Sequence, residues 1–153
     1  MHNGIKKDIS KSINYLKQAA NQNYAKAQCN LGNFYSEGIY VKPDIDKAIH
    51  YYTLAANQND SRAQFNLGIM YFKEQNITCD ISKAIHYFTL AANQNDSRAQ
   101  YNLGVIYEEG KYKKRDINKA IHYYTLAANQ NNYMAQVNLG NIYFNGIYVK
   151  HDI

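Results

Sequence analysis

The chain has no tryptophan, a single proline and only two cysteines among its 153 residues. With so little proline, long stretches can run as helix, since proline both lacks the amide donor and clashes with the preceding turn. Cys29 and Cys79 do not occupy equivalent places in the repeat described below, so no disulfide framework is encoded and a reducing, cytoplasmic setting is expected. The N-terminus, Met1-His2-Asn3-Gly4-Ile5-Lys6-Lys7, lacks the apolar centre of a secretory leader, and no hydrophobic run approaches the ~20 residues that span a bilayer. Charge is also in short supply. The formal net value is +5, with Lys and Arg spread along the chain, which weakly favours acidic partners and gives no membrane or nucleic-acid signal.

What is abundant is tyrosine, sixteen residues of it, in a chain that is 46% hydrophobic. A tyrosine core must lead its hydroxyl groups to water or to a partner, so the rings are expected at groove edges. The second abundance is repetition. A block reading Asp-Ile-x-Lys-Ala-Ile-His-Tyr-Tyr returns every 36 residues, its opening Asp at Asp8, Asp44, Asp80, Asp116 and Asp152. A fixed period of this size marks a solenoid, in which each unit buries its apolar face by stacking on its neighbours. The expected organisation is one array over 1–153, with repeats at 8–43, 44–79, 80–115 and 116–151 and a further one starting at 152–153. Both ends fall inside inter-repeat loops and neither resembles a polar capping repeat, which suggests a segment of a longer array.

Within the second copy, Asp44 suits a helix N-cap, its carboxylate accepting amides of the first turn. Ile45, Ala48, Ile49, Tyr52, Ala55 and Ala56 then follow at helical spacing as one apolar stripe. Asn59, like Asn23, Asn95 and Asn131, stands after the helix where left-handed geometry is wanted, which Asn tolerates. Asp60 caps a second helix carrying Ala63, Leu67, Gly68, Ile69 or Met70, and Tyr71. Gly32, Gly68, Gly104 and Gly140 recur in the middle of that helix, each costing about 1 kcal/mol relative to Ala. Close helix–helix approach is the expected reason. Gly38, Gly110 and Gly146 read as C′ glycines; the second copy has Glu74 there, with Asn76 two positions on as the substitute. The fold class that follows is all-α: two antiparallel helices per unit, stacked as a right-handed α-solenoid.

These residues resemble the Sel-one-like repeat (SLR) family of tetratricopeptide-like (TPR-like) α-solenoids. The family pattern appears as Tyr51-Tyr52, Ala55-Ala56, Asn59, Ala63, Leu67-Gly68 and Tyr71, then a C′ glycine in most copies. Tyr or Phe stands for the usual Trp, Asn for the turn Gly, and Tyr40, Tyr112 and Tyr148 occupy places where the family often has a second loop Gly. The resemblance implies a repeat protein that binds other proteins as a scaffold or adaptor. Some cysteine-rich bacterial members are linked to β-lactamase activity; they carry paired cysteines in each repeat, and this chain does not, so that hydrolase reading ranks last.

Other constellations carry less. His50, His86 and His122 form a ladder opposite the apolar stripe, but equivalent residues of stacked helices lie far beyond the ~2.0–2.1 Å reach of zinc ligands, so no metal and no cofactor are expected. Gly104 to Lys111 imitates a phosphate loop, with one residue too many, Tyr112 in place of Ser or Thr, and no preceding strand. Lys111, Lys113, Lys114 and Arg115 make one basic loop that other copies do not repeat, unlike a nucleic-acid face. Cys29 reads as a small apolar filler, Cys79 as a surface thiol. Adjacent Glu108 and Glu109 point to different sides of a helix and form no acid–base pair. Asn59, Asn76 and Asn95 open glycosylation sequons, relevant only to a secreted chain.

The expected working surface is therefore the first-helix face: Lys47, His50, Thr53, Leu54, Lys83, His86, Thr89, Leu90, Lys119, His122, Thr125 and Leu126. It would take a protein or peptide, acidic if the ladders line a groove. No catalytic residue is assigned. The alternative is a regulatory repeat segment of a larger enzyme, such as a kinase, whose catalytic domain lies outside these residues.

Overall fold

The computed structural model describes residues 8–38, 41–73 and 80–146. Eight helices and no strands occur among them: α1 Ile9–Asn21, α2 Ala25–Glu37, α3 Ile45–Ala56, α4 Ser61–Phe72, α5 Ile81–Asn93, α6 Ser97–Glu109, α7 Ile117–Ala128 and α8 Tyr133–Phe144. The protein is all-α, a series of helix pairs. Contacts divide it into two compact units, residues 1–63 and 64–153, the boundary falling within α4.

Local chemistry sets the helix ends. Asp8, Asp44, Asp80 and Asp116 cap α1, α3, α5 and α7, each carboxylate accepting the amide of the Lys three residues on at 3.0 Å. The Ala-Ala-x-x-Asn motif closes the same helices. Asn23, Asn59, Asn95 and Asn131 all have positive φ, between 62° and 65°. The amide after each Asn reaches back to the first Ala carbonyl, and the Asn amide to the second, as in Asp60 to Ala55 at 3.1 Å and Asn59 to Ala56 at 2.9 Å. This is the paired bonding of a Schellman cap. Gly38, Gly110 and Gly146 are also left-handed. The substitute expected at Glu74 and Asn76 lies outside the described residues, as do Cys79, Tyr40 and Tyr148.

In the first unit, Ala20, Ala27 and Leu31 form a core against Ile13, Leu16, Ala19 and Tyr51. The second unit holds two such cores. One gathers Ala84, Phe88, Ala91, Ala99, Leu103 and Ile106, the other Ala120, Tyr124, Ala127, Ala135 and Ile142. Cys29 is fully buried, as an apolar filler would be.

The mid-helix glycines have a specific neighbour. A Cβ placed at Gly32, Gly68 or Gly104 would stand 2.5 Å from the ring of Tyr52, Phe88 or Tyr124, always twenty residues ahead. Each glycine is the floor of a notch filled edge-to-floor by the aromatic of the next first helix. Gly140 has nothing within 4 Å.

The expectation that tyrosines sit at groove edges fails for two of them. Tyr52 and Tyr124 are 2% and 0% exposed. Their hydroxyl groups are satisfied inside the protein, which removes the need to reach water. Tyr52 donates to Asn33 Oδ1 at 2.8 Å and lies 3.1 Å from Ser36 Oγ. Tyr124 donates to Glu108 Oε2 at 2.6 Å and accepts from Asn138 at 2.9 Å.

Candidate functional site

The first-helix face is built as a repeated cassette. In the first unit, Tyr35 of α2 and Tyr51 of α3 stack with ring centroids 5.8 Å apart and planes 3° from parallel. Lys47 lies over Tyr35 at 5.4 Å, and the His50 imidazole meets the edge of Tyr51 at 5.3 Å. The second unit repeats this twice. Tyr71 stacks on Tyr87 with Lys83 and His86 beside them, and Tyr107 on Tyr123 with Lys119 and His122. The cap amide holds the register: Asp44, Asp80 and Asp116 each donate to the carbonyl of Tyr35, Tyr71 or Tyr107 at 2.9 Å.

The lysine ladder thus has a local role. Lys47 is paired with Asp44 at 2.7 Å, Lys83 with Asp80 at 3.5 Å and Lys119 with Asp116 at 3.7 Å. The ammonium of Lys47 is the first cause that holds Asp44 below the usual carboxylate range, its backbone amide the second, and the same pairing raises Lys47. Asp80 is lowered chiefly by the Lys83 amide. Burial raises Tyr87 and Tyr123, helped by Tyr71 and Tyr107. Tyr124 is raised well above the ordinary phenol range, by burial first and the Glu108 hydrogen bond second.

Of the residues expected on this face, Lys47, His50, Lys83, His86, Lys119, His122 and Thr125 are exposed, while Thr53, Leu54, Thr89, Leu90 and Leu126 are half-buried. Thr89 is turned back onto its own helix, donating to the Ile85 carbonyl at 2.7 Å. Each imidazole lies on its own tyrosine. Among the described residues no three His, Cys, Asp or Glu side chains converge where a metal could sit, and no helix is long and apolar enough to cross a membrane. The basic loop holds Lys111 over Tyr112 and ties Arg115 to the Glu108 carbonyl.

The sequence reading missed a polar clasp. Gln28, Gln64 and Gln100 are 1–2% exposed. Their side-chain carbonyls accept from Gln58, Gln94 and Gln130 at 2.7–2.8 Å, thirty residues ahead. The amides of Gln28 and Gln100 bond backwards to the Ala20 and Ala92 carbonyls at 3.3 and 3.2 Å. The recurring Ala-Gln and Asn-Gln pairs carried that signal, masked by the usual surface preference of Gln.

With this geometry in hand, comparison is informative. The Sel1 repeat profile matches residues 1–24, 25–60, 61–96, 97–132 and 134–153. Its frame groups each second helix with the first helix that follows, out of phase with boundaries at Asp44 and Asp80. The packing agrees with that grouping, since α2 packs more extensively on α3 than on α1, and α6 more on α7 than on α5. A Sel1 repeat protein from Oxalobacter formigenes is 34% identical, with a TM-score of 0.86 over 97% of this chain and 61% of its own. A protective antigen with an SLR fold from uropathogenic Escherichia coli is also 34% identical, with a TM-score of 0.83 over 88% of this chain and 29% of its own. The chain therefore spans well under two thirds of either relative. No curated protein matches it by sequence.

Proposed function

Because the chain belongs to the Sel1 repeat family, we propose that it is a protein-interaction scaffold that binds an acidic peptide or domain along its first-helix face. Sel1 repeat proteins are in general interaction scaffolds built on a non-catalytic repeat fold. The observation that carries the finer reading is the recurrence of an exposed imidazole and an exposed ammonium on a stacked tyrosine pair, twice within the second unit alone. Such a surface is rigid, aromatic and cationic at its rim, which suits anionic side chains alternating with apolar ones. An incoming carboxylate has to compete with Asp80 and Asp116 for the lysines, so the histidines are the better ligands. The chain acts by binding, without turnover of its own, in a cytoplasmic setting.

A pull-down with the repeats identifies the partner by mass spectrometry. Titrating it against His86→Gln/His122→Gln, and then against the triple change with His50→Gln, tests the face. Equal affinity with and without the histidines would place the contact elsewhere. Capture of a kinase or other catalytic chain, with an effect on its rate, would favour the regulatory alternative.

A further inference from the structure

The strongest unassigned feature is the loop between α6 and α7. The first helices on either side of the comparison are almost the same. Residues 44–60 and 116–132 differ only at Asp46 against Asn118 and Asp60 against Asn132. The loop before them, however, reads Gly-Ile-Tyr-Val-Lys-Pro at 38–43 and Gly-Lys-Tyr-Lys-Lys-Arg at 110–115. Lys111, Lys113 and Arg115 each put a cation in place of an apolar residue, and Asn118 drops an acid from the helical turn that follows. The apolar form, Gly-Ile-Tyr-Val-Lys, returns at 146–150.

The fold does not ask for those charges. Gly38 and Gly110 are both left-handed, at φ 64° and 68°. Pro43 lies against Gly38, and the Arg115 stem against Gly110, where an added Cβ would be 2.6 Å from it. Asp44 and Asp116 bond alike to the Tyr35 and Tyr107 carbonyls. Arg115 alone adds a bond, from Nε to the Glu108 carbonyl at 3.0 Å. Lys113 and Lys114 are exposed and make no ion pair among the described residues.

The loop is nonetheless held in place. Tyr112 meets the Phe72 ring edge-on at 5.8 Å, and Lys111 lies over Tyr112 at 4.8 Å. Cations fixed in this way lose less freedom when a ligand arrives. Two neighbouring acids are already occupied. Glu108 accepts from Tyr124 at 2.6 Å, and Asp116 pairs with Lys119 at 3.7 Å. Glu109, exposed at the end of α6, is the exception. Arg115 leads straight into Asp116, whose amide holds Tyr107, so the loop abuts the Tyr107–Tyr123 cassette.

We propose that this loop anchors the partner of the first-helix face through a run of carboxylates. Consecutive Asp or Glu side chains settle on Lys113, Lys114 and Arg115, and the chain that carries them continues over the Tyr107–Tyr123 cassette. The inference rests on the peptide-binding reading of that face and gives it a register. Ahead of the other two cassettes, residues 38–43 hold only Lys42 and residues 74–79 no cation at all. A nucleic-acid strand would call for cations at every joint.

Fluorescence anisotropy with the 153-residue chain tests this, using a labelled peptide that carries a Glu-Glu-Glu-Glu block and the same peptide with Gln in the block. One variant gives the loop its first-copy sequence, Lys111→Ile/Lys113→Val/Arg115→Pro. The other, Lys113→Gln/Lys114→Gln, removes the two unpaired cations. The parent is expected to bind the Glu peptide and not the Gln peptide, and each variant to bind it about ten-fold more weakly at low salt. That gap should narrow as salt rises from about 0.01 to 0.1 M, where the screening length falls from about 30 to 10 Å. No binding by the parent, or equal affinity of the parent and both variants, overturns the proposal. So does tighter binding of oligothymidylate or of phosphatidylserine vesicles with the same dependence on the loop. The denaturation midpoint of the loop exchange checks its fold; should it drop, the Gln pair decides. His86→Gln/His122→Gln separates the two readings. Loss of affinity in the loop variants alone keeps the anchor and removes the histidine face, and loss in the histidine variant alone overturns the anchor.

Discussion

Gly104 and Gly140 occupy the same place in two helices that share the Ala-Gln-x-Asn-Leu-Gly-x-Ile-Tyr pattern, yet their surroundings differ completely. The first is pressed by the Tyr124 ring; the second faces open space. Glycine in a helix interior is a liability of about 1 kcal/mol whichever helix it is in. At Gly104 the notch offsets that liability by admitting an aromatic. At Gly140 the liability stands alone within the described structure. A repeat therefore shows which residues are equivalent, but only the neighbour shows what an equivalent residue does.

The largest test of this contrast is steric. Gly104→Leu is expected to lower stability by about 1–3 kcal/mol, because the ring it meets is packed on its far side and has nowhere to go. Gly140→Leu should instead leave stability unchanged or raise it by up to about 1 kcal/mol. Paired urea denaturation curves measure both. Equal midpoints for the two variants would remove the notch as the reason for the glycine.

A smaller effect is expected from the matched pairs. Phe88→Tyr aims a new hydroxyl at Phe72 and should cost about 1–3 kcal/mol for an unpaired buried polar group. Changing Phe72→Ser as well restores the Tyr52–Ser36 arrangement and is expected to recover part of that loss. A double-mutant cycle with no coupling would mean that the match has no energetic content.

Next in size are the glutamines. Gln100→Ala removes a buried amide that serves both Ala92 and Gln130, and a loss of about 1 kcal/mol is expected. Gln136→Ala, at the exposed equivalent, should stay within about 0.5 kcal/mol of the parent.

Smallest is the acid response. Asp44 and Asp80 are lowered in the fold, so the stabilisation they give is present above their unfolded value of about 3.9 and is lost as pH falls through the folded one. Thermal midpoints measured from pH 6 downwards should hold and then fall below about pH 4. Both carboxylates are only half-buried and screened by solvent, so the fall should be shallow. A midpoint that rises on acidification would contradict the sign.

The helices were legible because their signals are local. An Asp before Ile, an Asn after Ala-Ala and a Gly before a loop each act within one turn, and the 36-residue period repeats them. The Tyr35–Tyr51 stack, the Gly32–Tyr52 notch and the Gln28–Gln58 clasp join residues 16, 20 and 30 apart. Near-identical copies make every such offset equally periodic, so the pattern cannot choose among them. The site was legible only as a face. His50 and Lys47 are exposed on α3, but Tyr35, which lies under Lys47 and stacks on Tyr51, comes from the preceding helix, and nothing local in the sequence sets the distance between the two helices. Tyr52 and Tyr124 were misjudged for a related reason, since their hydroxyl partners vary from Ser to Glu between copies.

That variation bears on how such a chain can grow. The partners 36 and 52, 72 and 88, and 108 and 124 each fall inside one Sel1 frame, 25–60, 61–96 or 97–132. A crossover at those frame edges moves a ring together with the residue that suits its hydroxyl, or its lack of one. A crossover at Asp80 or Asp116 would separate them and leave a phenol facing a phenyl. Duplication in the first register hands on a finished joint, so a gene can lengthen by whole units without passing through a mismatched intermediate.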